Sequence, residues 1–172
     1  MAKVIYFSRR NENLLCGKIK DLAVGNTKIV AEKIAYYTDA EILELLPVVN
    51  YPTSYDETVF LAEKEKQEDL RPEFKPLMVS AVSEVIFLGF PNWCGVMPRI
   101  VVHFLEKYDF SNKIIYPFCT HEGSAFGSSL FELKQLCPDS SIMAGLPIKG
   151  SNVAKADTAI KNWLVQYKKM EE

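Results

Sequence analysis

Long apolar runs, an excess of basic charge, histidine and paired cysteines are all scarce in this sequence, and each scarcity removes a class of function. No apolar run approaches the roughly 18 residues that a membrane-crossing helix needs. The first residues, Met-Ala-Lys-Val-Ile-Tyr, run straight into a strand pattern without the apolar core of a signal peptide. Lys and Arg number 20 against 22 Asp and Glu, a net charge of −2. No basic field is therefore present to draw nucleic acid or an anionic membrane. The four cysteines, Cys16, Cys94, Cys119 and Cys137, lie far apart and form no C-x-x-C pair. They read as reduced thiols of a cytoplasmic protein, not as a disulfide framework or a metal site. Two histidines are too few for a His-rich metal cage. Neither the P-loop pattern nor a G-x-G-x-x-G after the first strand occurs, which argues against P-loop nucleotide and dinucleotide binding.

What is present suffices for one well-buried core. With 172 residues, 48% hydrophobic, the chain is expected to form one domain over residues 1–172. Its organising stretch is residues 84–95. Val85 to Leu88 is a short apolar run of the kind buried on both faces in a parallel sheet. Gly89 and Pro91 then break the strand, Asn92 and Trp93 set an amide beside a flat ring, and Pro98 suits the first turn of a helix over 97–107. In open α/β sheets such a strand end is where planar ligands bind. Trp93 packed as core in a tight turn is the alternative.

Upstream, Lys3 to Phe7 reads as a strand, followed by a polar connection over residues 11–25. A helix opens at Gly25-Asn26-Thr27, with Asn26 or Thr27 as N-cap and Val30, Ala31, Ile34 and Ala35 on one face. Ser8 and Thr27 would meet where the first strand faces that helix's N-terminus. Their hydroxyls, with Arg9 or Arg10 near, suit a phosphate, or simply cap a helix after a surface loop. Glu41 to Leu46 reads as the second strand, and residues 56–70 as a charged, solvated helix face after an irregular stretch holding Tyr51 and Tyr55. Lys113 to Cys119 is the fourth strand. Pro117 predicts that its ladder ends or bulges there. The loop Thr120 to Gly127 precedes a helix reaching Leu136, Ser141 to Leu146 is the fifth strand, and Ala156 to Tyr167 an amphipathic final helix.

Strands alternating with helices imply an α/β fold: a three-layer doubly wound sandwich with a five-stranded parallel sheet in the order 2-1-3-4-5. The loops after the first, third and fourth strands would open at one edge of that sheet. A receiver-type signalling module shares the sheet but needs acids where this chain has Ser8-Arg9 and Pro91-Asn92. Cys94 and His121 suggest a catalytic pair but lack a third partner.

The blocks Tyr6-Phe-Ser-Arg9, Gly25-Asn-Thr-Lys-Ile-Val-Ala-Glu-Lys33, Gly89-Phe-Pro-Asn-Trp93, Gly95-Val-Met-Pro98 and Pro117-Phe-Cys-Thr-His-Glu-Gly-Ser124 resemble the flavodoxins. The likeness runs through nearly the whole chain, and is nearest to a bacterial branch with an insertion before Gly-Asn-Thr. It implies the flavodoxin-like fold and one non-covalent FMN. The phosphate would rest on Ser8, Arg9, Asn26 and Thr27. The ring would lie between Pro91, Asn92, Trp93, Cys94 and Gly95 on one side and Thr120, His121, Glu122, Gly123, Phe126 and Gly127 on the other. Trp93 and Tyr55 would flank the ring. Many relatives carry a second Trp at Cys94 and a Thr at Val96; losing that hydroxyl removes a hydrogen bond worth about 0.5–1.5 kcal/mol. The implied role is a low-potential electron carrier between a reductase and an acceptor protein, working as a monomer or weak dimer. The alternative is an NAD(P)H-dependent FMN or quinone reductase on the same fold.

Overall fold

The structure is a computed structural model that describes residues 1–77 and 83–171. In chain order the elements are β1 (Lys3–Tyr6), β2 (Asn11–Leu15), β3 (Lys18–Leu22), α1 (Asn26–Thr38), β4 (Glu41–Glu44), α2 (Tyr55–Gln67), β5 (Val85–Pro91), α3 (Arg99–Lys107), β6 (Ile114–His121), α4 (Ser129–Leu136), β7 (Ser141–Ile142), β8 (Leu146–Lys149) and α5 (Asp157–Glu171). A 3-10 turn, Gly150–Lys155, precedes α5. The parallel sheet runs β4-β1-β5-β6-β7, with β8 also paired to β6. Helices cover both faces. This is the flavodoxin-like doubly wound sandwich, and β4-β1-β5-β6 is the expected 2-1-3-4 order with the inserted strands counted.

Alternation along the strands divides the core in two. Ile5, Phe7 and Leu88 pack with Ile100, Phe104 and Leu133 under α3 and α4. Val4, Tyr6, Phe87 and Tyr116 pack with Val30, Ile34, Ile160 and Leu164 under α1 and α5. The central strand is buried on both faces, as its unbroken apolar run predicts.

Several local expectations change. The polar connection over residues 11–25 contains a β-hairpin, with Asn11 opposite Leu22 and Leu15 opposite Lys18. Cys16 and Gly17 turn it at φ 51 and 73, the left-handed pair that a two-residue turn needs to match strand twist. The expected N-cap, Asn26 or Thr27, is replaced by Gly25, which has no capping side chain of its own. The Ser8 hydroxyl reaches across instead and accepts from the Lys28 N–H at 3.1 Å. A Cβ on Gly25 would stand 2.2 Å from Ser8 Oγ, so the close approach itself selects glycine. Pro98 occupies the N-cap position, not the first turn, and α3 starts at Arg99.

The ladder does not end at Pro117, which pairs with Leu88 in continuous register on the β5 side. On the other side the partner changes from β7, which ends opposite Ile115, to β8, which begins opposite Phe118. Proline's missing donor falls in that gap, and the expected fifth strand over 141–146 is split around it. The face of α2 is not wholly solvated either: Glu65 is 5% exposed and accepts from the Tyr51 hydroxyl at 2.9 Å.

Candidate functional site

The carboxyl ends of β1, β5 and β6 open into one cavity of about 310 Å³. Its wall includes Ser8 and Arg9 after β1, Asn26 and Thr27 at the start of α1, Pro91 to Cys94 after β5, and Thr120 to Glu122 at the end of β6. Tyr55 closes a further side. The three loops singled out in the sequence thus share a single crevice, the switch-point location for this topology.

At one end lies the N-terminus of α1, whose first amides have no intrahelical acceptors and carry the positive end of the helix dipole. Thr27 is buried there, its hydroxyl 2.7 Å from that of Thr120. Arg9 behaves differently from a free anion-binding cation. Its guanidinium donates to the carbonyls of Glu12, Pro52, Thr53 and Ser54, holding the loop before α2 against β1. Burial pushes its pKa down and Glu12 opposes that shift. Arg10 is exposed and does not line the cavity.

At the other end Trp93 sits edge-on to Phe7, with centroids 5.2 Å apart, and to Tyr51 at 4.8 Å. The indole is therefore both core-packed and part of the cavity wall, which joins the two readings that the sequence left open. Trp93 and Val96 exchange backbone hydrogen bonds across Cys94 and Gly95, at φ 54 and 80, in a tight turn. Lys66 donates to the Cys94 carbonyl at 2.8 Å. The Cys94 thiol is pushed up to about 11 by burial first and by its hydrogen bond to Glu63 second. It is not a thiolate at neutral pH, so it makes a poor nucleophile.

The 120–127 loop is tied to this turn. Asn92 donates its side-chain amide to the Ala125 carbonyl at 2.8 Å, and the Ser128 N–H donates to the Gly95 carbonyl at 2.8 Å. Four of the expected site residues, Gly95, Gly123, Phe126 and Gly127, serve that junction or stand apart from the wall. Gly127, at φ 52, packs so closely that a Cβ would lie 2.2 Å from the Gly95 carbonyl oxygen. Phe126 is buried against Phe90, and Gly123 is exposed. His121 lines the cavity and accepts from the Gly123 N–H through Nδ1 at 3.0 Å. Burial lowers its pKa, Glu122 opposes that, and the neutral ring at pH 7 agrees with an accepting Nδ1. Glu122 accepts from the Cys16 N–H at 3.1 Å through Oε2, while its Oε1 is buried with no hydrogen-bond partner among the described residues.

Sequence reading overlooked Asn13, Leu14, Thr58, Val59 and Ala62, which also line the cavity. Tyr55, Thr58, Val59 and Ala62 form an i, i+3, i+4, i+7 stripe and were legible as a helix face turned inward. Asn13 and Leu14 come from the hairpin and were hidden with it. Among the described residues no group of three His, Cys, Asp or Glu could hold a metal ion, and no helix is long and apolar enough to cross a membrane.

The sequence matches the family described as Flavodoxin over residues 21–167. Among solved structures, a candidate flavoprotein of Bacteroides eggerthii is 26% identical with a TM-score of 0.75, covering 95% of this chain and 94% of its own. One of Bacteroides uniformis is 25% identical with a TM-score of 0.72, covering 93% and 97%. A Lactobacillus acidophilus flavoprotein crystallised with FMN has the same fold at 19% identity and a TM-score of 0.64, covering 90% and 96%. No curated protein matches the sequence.

Proposed function

The chain belongs to the flavodoxin family, and from that premise we propose that it binds one FMN in this cavity and carries electrons at low potential between redox partner proteins. The observation that carries the reading is the single crevice joining a helix N-terminus and hydroxyls at one end to an indole at the other. A ligand with a phosphate and a flat ring needs both ends at once.

The residues present fit such a group. The cavity volume lies at the lower end of cofactor sites. The first-turn amides of α1 with Ser8, Asn26 and Thr27 would hold the phosphate, and Arg9 would shape the loop beside it. Trp93 and Tyr55 would flank the ring, and backbone groups of the Trp93 to Gly95 turn and of His121 to Gly123 would meet its polar edge. Bound there, FMN supplies reversible electron transfer. The chain's own residues bind it, orient it and exclude water. Both tip carbonyls of the Trp93–Val96 turn are already held, that of Cys94 by Lys66 and that of Gly95 by Ser128, so the turn is preorganised before a ligand arrives.

The carrier role is supported by the surface beside the cavity. Asp56 and Glu57 are exposed on α2 next to the mouth residue Tyr55, and Phe60, about one turn further along the helix, is 75% exposed. An acidic rim with an apolar centre suits transient docking of a basic protein. The loop that would have to open for a nicotinamide is instead fastened through Pro52, Thr53 and Ser54 to Arg9. Four free thiols suit a reducing, cytoplasmic setting, and we take the working form to be a monomer or weak dimer.

Incubation of the purified chain with FMN, followed by gel filtration and a visible spectrum, tests the proposal. One equivalent of bound flavin with blue and near-ultraviolet bands is expected. NADPH added without a reductase should leave those bands in place. A colourless chain overturns the cofactor; prompt bleaching by NADPH moves the reading to an NAD(P)H-dependent reductase.

A further inference from the structure

The β2–β3 hairpin is attached to the molecule unevenly. Among the described residues, none from Asn11 to Leu22 belongs to either core cluster. Its root is clamped: Arg9 binds the Glu12 carbonyl and the 52–54 carbonyls together. The Glu12 N–H also donates to the Thr53 carbonyl, and the Glu12 carboxylate accepts from the Tyr55 N–H at 2.9 Å. Its tip, by contrast, is held to the rest of the molecule by one polar contact among the described residues, Cys16 N–H to Glu122. Beside it Leu15 rests where glycine leaves room: Leu15 Cδ2 lies 3.1 Å from the point a Gly150 Cβ would occupy.

The tip contact is also costly to keep. With the tip docked, Glu122 Oε1 is buried without a hydrogen bond among the described residues, a desolvation cost that works against what the Cys16 N–H contributes. Meanwhile the inner side of the hairpin, Asn13 and Leu14, forms part of the cavity wall, and its outer strand, Lys18 to Asp21, is exposed. A wall with a fixed root, a weakly held tip and no share in the core is the low-stability unit expected to open first.

We infer that this hairpin is a hinged flap that gates ligand access to the cavity, pivoting on its Arg9-clamped root with Leu15 and Cys16 as the moving end. The inference rests on the FMN reading and adds to it: the ligand enters and leaves by displacement of the tip, not through the rigid turns after β5 and β6.

Leu15→Ala tests it, because Leu15 does not line the cavity and its loss loosens only the docked tip. Stopped-flow quenching of flavin fluorescence gives FMN association and dissociation rates. Both should rise about fivefold, with Kd changing less than about twofold, since a gate alters rates more than equilibrium. A rise in dissociation alone makes the hairpin a contact surface and overturns the flap, as do unchanged rates. Amide exchange in the ligand-free protein gives an independent reading, and Cys16 should exchange at least about tenfold faster than Glu12 and Tyr55. Equal protection at tip and root overturns the inference even if FMN binds, whereas a wild-type chain that takes up no flavin fails the cofactor reading and the gating of it together.

Discussion

Tyr51 and Glu65 show how one side chain can serve both stability and site. Tyr51 braces Trp93 with its ring edge and donates its hydroxyl to a carboxylate that is nearly out of water. Burial raises the Glu65 pKa, and the Tyr51 hydrogen bond and Arg99 pull it back. Tyr51→Phe keeps the ring but leaves the buried carboxylate short of a donor, which should cost about 2 kcal/mol at neutral pH. Because the folded-state pKa of Glu65 lies above its ordinary value, its protonated form is the favoured one. The penalty should therefore fade as pH falls through that raised folded-state value and be gone by about pH 4, the ordinary carboxylate range. Denaturant melts at pH 7 and in acid check this. Adding Glu65→Leu to Tyr51→Phe should recover most of the loss, since removing both partners strands neither. A loss in Tyr51→Phe that is unchanged in acid would instead place the cause in ring packing.

Elements differ in how openly the sequence declares them. The central strands and the helices α1, α3 and α5 were legible because a covered parallel sheet demands apolar runs and each of these helices shows a 3.6-residue apolar face. Their loops were legible because Ser8, Trp93 and His121 stand at strand ends that such a sheet turns to one edge, with Thr27 at the helix start facing them. The hairpin was not, since Leu14, Leu15, Ile19 and Leu22 are divided between its two sides among polar residues, so no alternating apolar face shows, and its turn is Cys16-Gly17, not the commoner Asn-Gly or Asp-Gly. The division of the last strand was hidden for another reason. The gap opposite Pro117 depends on which side of β6 each backbone group faces, and composition does not show that. Within β5, Gly89 is fixed by contact with its neighbour: a Cβ there would stand 2.1 Å from the Phe118 ring. Gly89→Ala must displace that ring or bend the strand, and a loss of about 1–3 kcal/mol in thermal or denaturant unfolding is expected. Gly89→Ala with Phe118→Leu should recover part of it.

Across the whole molecule, acid should undo links between elements before it reaches the core. Arg71 joins Asp69, beyond α2, to Glu106 on α3, and its hydrogen bonds hold both carboxyls below their usual range. Lys33 on α1, helped by Tyr37, does the same for Asp157 at the start of α5. Depressed carboxylates contribute stability above about pH 4 that is lost as pH falls through their folded-state values. The melting temperature should therefore decline steadily below about pH 4, and the decline should shrink in Arg71→Met. The Arg9 guanidinium carries a different consequence. Its hydrogen bonds are spent on carbonyl oxygens, so an anion at the tip of α1 would be met chiefly by neutral peptide dipoles at contact distance. Contacts of that kind have no mobile counterions to surrender and are little screened. Retention of a phosphorylated ligand should consequently vary little between dilute buffer and molar sodium chloride, and equilibrium dialysis at the two ionic strengths would show it.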